Sequence, residues 1–247
     1  MTILSGRTAV VTGAAGPVGL AVVRGLLEDG AQVALVDIDA LRLDSLVRFL
    51  RGGVLALPCD VTEPGAVRQA HLQAEKLLGP VEILVNAAGA FTAARVESTT
   101  DEDWRRVMSV NVDGAFHWAR ASIPAMKKRG WGRIVNVTSA EAKNGGQSAG
   151  TALAAAHGAV ASLTFSLARE LAGAGITVNA VAPAFVMAAV ELEQLNDAQR
   201  RQLLSQVPVG RFCEPEELAH AVRFLASPLS GFITGEVLDV NGGSVMD

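Results

Sequence analysis

Short apolar runs alternate along the chain with longer stretches whose apolar residues recur every three to four positions. The runs are rich in Val, Ile and Leu and predict strands at Arg7–Thr12, Gln32–Asp37, Val54–Cys59, Val81–Val85, Arg133–Ser139, Ile176–Val181 and Val237–Val240. The amphipathic stretches between them predict helices at about 17–29, 39–51, 63–78, 101–128, 150–173 and 214–226. Strands apolar on both faces, each followed by a helix, read as βαβ units with right-handed crossovers. The pattern therefore predicts an α/β fold: a doubly wound, Rossmann-like parallel sheet of about seven strands flanked by helices.

No repeat, low-complexity tract or Pro/Ser-rich linker divides the sequence, so residues 1–247 are expected to form a single domain. With 50% hydrophobic and 19% charged residues, intrinsic disorder is excluded. The balance of 21 Lys+Arg against 25 Asp+Glu gives a net charge of −4, which argues against nucleic-acid or anionic-membrane partners. Cys59 and Cys213 are far apart in sequence, so neither a disulfide framework nor a zinc cluster is expected, and a cytoplasmic setting is. The opening MTILSGRTAVVTG lacks a basic segment followed by a long apolar one, so no secretory leader is expected. Residues 144–168 and 171–190 contain no Asp, Glu, Lys or Arg. The first stretch is long enough to raise a membrane span, but Gly, Ser, Thr, Gln and Ala dominate it, which predicts a buried helix instead. A sheet covers only one side of such a helix. The small residues Ala154, Ala155, Gly158, Ala161 and Ser162 suit close approach of another subunit on the other side.

The candidate chemistry begins where the first strand runs into Thr12-Gly13-Ala14-Ala15-Gly16-Pro17-Val18-Gly19 and then into a helical pattern. A Gly-rich turn between strand and helix lets backbone approach a pyrophosphate, and the helix N-terminus supplies N–H groups. Asp37 ends the second strand, where a carboxylate would bind an adenosine ribose and repel a 2′-phosphate, favouring NAD over NADP. The plainer alternative for Asp37 is a turn residue at a strand end.

Further landmarks follow in order: Asp60-Val61, Asn86-Ala87-Ala88-Gly89, Asn111 in Asn-Val-Asp-Gly, and Gly132-Arg133-Ile134-Val135-Asn136-Val137-Thr138-Ser139. After them come Ala168-Arg169-Glu170-Leu171, Gly175 to Asn179 with Pro183, and Thr234-Gly235 with Asp239-Val240-Asn241-Gly242-Gly243. With this ordered set the chain resembles the short-chain dehydrogenase/reductase family over nearly its whole length. The resemblance implies a mechanism in which a tyrosine phenol exchanges a proton with the substrate oxygen while hydride passes to or from a nicotinamide. A lysine four residues later tunes the phenol, a serine polarises the substrate oxygen, and an asparagine completes a proton relay. Ser139 and Asn111 occupy the last two positions. The Tyr-x-x-x-Lys pair falls on Leu153-Ala154-Ala155-Ala156-His157. Sliding the register cannot restore it, because the chain has no tyrosine and its lysines are Lys76, Lys127, Lys128 and Lys143.

The resemblance also implies a cofactor site at Gly13, Val18, Gly19, Asp37, Asp60, Asn86 and Gly89, here in vestigial form. Pro17 replaces a glycine of the family's loop, removing an N–H and placing a ring where a pyrophosphate wants bare backbone. Ala184 follows Pro183 where the family has glycine, and Ala188 stands where it often has a threonine. The family's variable substrate lid corresponds to about residues 187–212, in which Glu191–Arg201 and Gln202–Phe212 suggest a helix. His157 would lie on a nearly apolar helix where desolvation favours the neutral ring, so it reads as a hydrogen-bonded core or interface histidine. His71, His117 and His220 show no ligand spacing, and no metal site is expected.

Losing a positioned general acid costs about 10²–10⁴ in rate, and each charged hydrogen bond lost from a pyrophosphate loop about 1.5–3 kcal/mol. These losses imply a non-catalytic subunit with no or weak NAD binding, paired with a homologous active dehydrogenase subunit that carries the NAD. The contacts are expected through helices at about 101–128 and 150–173 and the C-terminal segment Phe232–Val240. Heteromeric dehydrogenases of the hydroxybenzylsuccinyl-CoA dehydrogenase type are similar in this pattern. Two alternatives stand beside that reading. One is an enzyme with a site rearranged around Ser139, Asn111 and His157, acting as oxidoreductase, lyase or isomerase. The other is a module that senses NAD or another metabolite.

Overall fold

The computed structural model describes residues 2–50, 52–146, 150–187 and 195–246. The strands are β1 (Thr8–Thr12), β2 (Gln32–Asp37), β3 (Val54–Pro58), β4 (Val81–Asn86), β5 (Gly132–Val137), β6 (Ile176–Pro183) and β7 (Val237–Val240). They form one 7-stranded sheet in the order β3-β2-β1-β4-β5-β6-β7, with every neighbouring pair parallel. The order reverses between β1 and β4, and the crevice at the carboxyl ends of those strands is where such sheets bind ligands.

Alternate residues of the strands feed two apolar layers. Ala9, Val11, Val33, Leu35, Ile83 and Val85 pack with Val22 and Leu26 of α1 (Pro17–Glu28) and with Leu218 and Val222 of α9 (Pro215–Ala226). Val10, Ala34, Val36, Leu84, Ile134 and Val178 point the other way. They meet Val67 of α3 (Pro64–Leu78), Trp118 of α5 (Gly114–Arg129) and Leu171 of α7 (Thr151–Leu171). Strands buried on both faces need no polar alternation, which is why their sequences read as continuous apolar runs. Helix α2 (Ala40–Leu50) joins β2 to β3.

β1, β3 and β4 differ from the sequence expectation by one residue at an end, and three elements differ further. Predicted strand five stops at Val137, so Thr138 and Ser139 belong to the loop beyond it, whereas β6 runs on to Pro183 because it still has β7 to pair with. The single helix expected over 101–128 is α4 (Asp101–Met108), a π-helical turn at Ser109–Asp113, and then α5. Thr100 starts α4 by accepting a hydrogen bond from the Asp103 N–H, with Asp101, Glu102 and Asp103 favouring its positive end. A short helix α6 (Glu141–Asn144) follows β5, and α8 (Asp197–Leu204) starts with an Asn196–Gln199 capping box. That is where the lid helix lies; residues 188–194, Ala188 included, lie outside the described residues.

The charge-free helix is α7. Residues Thr151–Ala174 are long and apolar enough to cross a bilayer, yet Ala152, Leu153, Ala156, Val160, Thr164, Leu167 and Leu171 are buried inside the fold, which makes α7 a core helix. Its outer side keeps Ser162 and Phe165 exposed.

Candidate active site

The carboxyl ends of β1 and β4 are locked together by one hydroxyl. Thr12 Oγ1 accepts from the Ala87 N–H at 3.0 Å and the Ala88 N–H at 3.1 Å, across the point where the strand order reverses. Gly13 then turns with φ +65°, and a Cβ there would lie 2.5 Å from the Ala87 carbonyl oxygen. The loop is stitched by Ala14 N–H to Val36 O (3.1 Å) and Gly16 N–H to Gly13 O (3.0 Å). Gly19, in the first turn of α1, lies flat on this loop: a Cβ would come within 2.7 Å of the Gly13 carbonyl carbon and 2.8 Å of Ala14 Cα. Backbone is thus brought bare to a helix N-terminus, the arrangement that cradles phosphate. Pro17 takes the first helical position after the Gly16 cap, where a missing N–H costs the helix no bond. Val18 turns its partly buried side chain onto the core and can offer the cradle only its backbone N–H.

The Asp37 carboxylate reaches back to the loop, Oδ2 accepting from the Ala15 N–H (3.0 Å) and Oδ1 from the Asp39 N–H (3.1 Å). It is both the strand-end turn residue and a carboxylate beside the glycine loop. Asp60 Oδ1 accepts from the Thr62 N–H (2.9 Å) and hydroxyl (2.7 Å), which shapes the turn after β3. Next to it, burial pushes the Cys59 thiol up to about 11, so it stays protonated. Asn86 is buried and donates to Asn136 Oδ1 (2.9 Å), and Asn136 donates to Thr164 Oγ1 (2.9 Å), which ties β4 to β5 and α7. Asn111 sits in the π-helical turn. Its Nδ2 donates to Ala90 O (2.9 Å) and Val107 O (2.8 Å), and its Oδ1 faces Gly89, where a Cβ would lie 3.1 Å away. It therefore pins the loop after β4 to the turn between α4 and α5.

Beyond β5, Ser139 Oγ donates to Pro183 O (3.3 Å) and accepts from the Glu141 N–H (3.2 Å). Leu153 is 6% exposed and packs with Val107, Ala152 and Ala156, beside Met108 and Val112. His157 departs from expectation. Its Nδ1 is buried with no hydrogen-bond partner among the described residues, and desolvation pulls its pKa from 6.5 down to about 4. The ring is neutral at neutral pH, and its backbone carbonyl accepts from the Thr138 hydroxyl (3.1 Å).

An imidazole whose pKa falls on folding carries a proton in the unfolded chain but not in the native one between the two values. Stability is complete above about pH 6.5 and is lost as pH falls toward about 4. At about 1.4 kcal/mol per pH unit the loss is about 3 kcal/mol. A His157→Leu chain is expected to lack this part of the acid destabilisation when urea unfolding is compared at about pH 7 and about pH 4.5. Equal pH dependence in the two chains would contradict a buried neutral ring.

One residue escaped the motif reading. Lys143, on α6, donates to Asp239 Oδ2 of β7 at 2.8 Å. Its signal in the sequence is weak: a lysine one helical turn after Ser139, outside every family landmark. Asp239 also borders a cavity of about 260 Å³ beyond the end of β6, lined further by Ala184, Phe185, Val207, Arg211 and Asn241. Arg211 makes a bidentate pair with Glu217, at 2.6 Å to each oxygen, which holds the Glu217 carboxyl down at about 2.

Residues 13–245 match the family model described as enoyl-(acyl carrier protein) reductase. Over 244 residues the chain is 41% identical to galactitol 2-dehydrogenase (L-tagatose-forming) of Cereibacter sphaeroides, covering 97% of this chain and 95% of that protein. It is 38% identical over 244 residues to the 3-oxoacyl-(acyl-carrier-protein) reductase FabG of Vibrio cholerae, covering 98% and 99%. It is 33% identical over 253 residues to D-beta-hydroxybutyrate dehydrogenase of Rhizobium meliloti, covering 96% and 98%. These relatives are named for oxidoreductase activities, and they overturn the expectation of a non-catalytic subunit. Neither the site rearranged around His157 nor the sensing module fares better against them. The physical reason is that the loss of two side chains leaves the sheet and its glycine loop intact.

Proposed function

Because the chain belongs to the short-chain dehydrogenase/reductase family, we propose that it is a nicotinamide-dependent oxidoreductase that interconverts a secondary alcohol and a ketone with NAD. The observation that carries this reading is the bare-backbone cradle of Gly13 and Gly19, with Asp37 bonded to the Ala15 N–H beside it, at the reversal of strand order. The dinucleotide, when bound, supplies or accepts hydride. The N–H groups of the first turn of α1 would hold its pyrophosphate, and the Asp37 carboxylate would accept from ribose hydroxyls and repel a 2′-phosphate. Ser139 would turn its hydroxyl from Pro183 O to the substrate oxygen, while Asn111 keeps the loop after β4 in place. Pro17 takes one N–H from the cradle, which weakens binding by about 1.5–3 kcal/mol but does not abolish it. The same reading includes assembly with a homologous chain. Phe116 on α5, Phe165 on α7 and Phe232 before β7, all exposed, support it.

Calorimetric titration with NADH and NADPH tests the reading. NADH is expected to bind and NADPH to bind more weakly, and Asp37→Ser is expected to weaken NADH about tenfold or more while narrowing the gap. Tight NADPH binding by the unmodified chain would contradict the role of Asp37, and absence of binding by either would refute the function.

A further inference from the structure

Without a tyrosine, the proton that must accompany hydride needs another carrier at the carboxyl edge of the sheet. Lys76 lies in the last turn of α3, and Lys127 and Lys128 in the last turn of α5. Those turns lead into β4 and β5, so all three lysines sit at the amino edge, away from the crevice. Lys143 is on the other edge, because α6 starts where β5 ends. Ser139 begins the turn that becomes α6 by accepting from the Glu141 N–H, and its hydroxyl reaches Pro183 O. Asp239, which holds Lys143, pairs with Ala182 across the β6–β7 ladder. The serine hydroxyl and the Lys143–Asp239 pair are therefore anchored on consecutive residues of β6. The pair adjoins, through Asp239, the cavity that Asp239 and Ala184 line, and its side chains are 23% and 25% exposed.

The chemistry fits. A lysine ammonium and a tyrosine phenol ordinarily hold their protons about equally, with values of about 10.4 and about 10. The other groups at this edge are poorer donors. Both Asn111 amide hydrogens are occupied, and the His157 ring is neutral with its Nδ1 buried. Among the described residues, the titratable groups on the elements around Lys143 are Asp239 on β7, Glu141 on its own helix, and His157, Arg169 and Glu170 on α7, the last two in its final turn.

We propose that Lys143 is a catalytic residue of this oxidoreductase, exchanging a proton with the substrate oxygen, with Asp239 positioning it. The inference rests on the function proposed above. In the reduction direction the carbonyl carbon takes up a hydride, for which a reduced nicotinamide dinucleotide is the reductant. The Nζ–H bond breaks, an O–H bond forms on the substrate oxygen, and the neutral amine regains its proton from water. Oxidation reverses each step, and the free amine takes the hydroxyl proton.

The test uses the full chain with NAD⁺ and either galactitol or D-3-hydroxybutyrate, comparing Lys143→Arg, Lys143→Met and Asp239→Asn. Both lysine variants are expected to lose about 10²–10⁴ in kcat while melting temperature and NADH affinity stay as in the unmodified chain. Arginine keeps the charge but does not release its proton, so Lys143→Arg should leave KM nearly unchanged while kcat falls. The rise of the oxidation rate with pH should disappear in both. A readout independent of turnover is the NMR signal of ¹³C-methylated Lys143, identified by its loss in Lys143→Arg. It should move on addition of substrate and titrate at lower pH in Asp239→Asn. Lysine variants within twofold of the unmodified kcat, or a Lys143 signal indifferent to substrate, would overturn the lysine's role and leave the oxidoreductase standing. An unmodified chain that binds NADH yet turns over neither substrate at any pH would overturn both.

Discussion

Replacing Leu153 by tyrosine together with His157 by lysine in a Lys143→Met chain is expected to restore turnover with a nicotinamide cofactor by on the order of 10²-fold, the lower range for a well-placed general acid. Leu153 stands at the phenol's place in the family pattern. Leu153 is in the first turn of α7, at the edge where Ser139 lies, and Asn111 anchors the loop beside it. The cost is steric. Leu153 is packed on Val107, Ala152 and Ala156, so a tyrosine ring overfills the cluster and lowers stability by about 1–3 kcal/mol. Lysine at 157 also enters a position where burial desolvates the side chain, which is expected to lower the pKa of its ammonium, and the charged form would stabilise the neighbouring phenolate. Steady-state kinetics beside a melting curve separates the two effects. A folded double variant that binds NADH and turns over no faster would show that the reacting oxygen does not lie near Leu153. Each single variant is expected to gain far less, because the phenol and the cation that tunes it act as a unit.

Gly19→Ala is expected to abolish measurable NADH binding and to lower the melting temperature by several degrees. The added Cβ would meet the backbone of Gly13 and Ala14, not a side chain that could swing aside. Relief requires lifting the first turn of α1 off the loop. That breaks the register of Val22 and Leu26 against the sheet and widens the cradle. Overpacking of this kind costs about 1–3 kcal/mol, or roughly 2–12 °C for a chain of this size. The nucleotide effect should exceed the stability effect, since phosphate contacts depend on backbone placed to fractions of an ångström. Gly158→Ala, at a position where a Cβ meets nothing within 4 Å, serves as the control and should change neither. Unaltered NADH binding in Gly19→Ala would mean that the cofactor does not approach this loop.

The strands were legible because burial on both faces writes itself as continuous Val, Ile and Leu, and β2 and β7 lie where the pattern placed them. The glycine loop was legible for a related reason, since only glycine tolerates the φ of Gly13 and the contact made at Gly19. The break after Met108 was not. Apolar periodicity runs through 101–128 without interruption, and the π-helical turn becomes apparent only once Asn111 is seen satisfying Ala90 O and Val107 O together. The inference from missing residues to missing activity failed because a pattern of losses records what one site gave up and not what stands beside it.

The sequence by itself determined the sheet, its flanking helices, the glycine loop and the absence of any phenol, because each depends on residue type and on neighbours a few positions away. Tertiary structure alone decided the rest. Lys143 meets Asp239 across 96 residues of sequence, and His157 becomes neutral because burial in the fold desolvates its ring. Ser139 donates to Pro183, 44 positions later at the end of the neighbouring strand. Such relations are set by distance and burial in three dimensions, where a charge is worth what its surroundings make it, and no local pattern of residues carries that information.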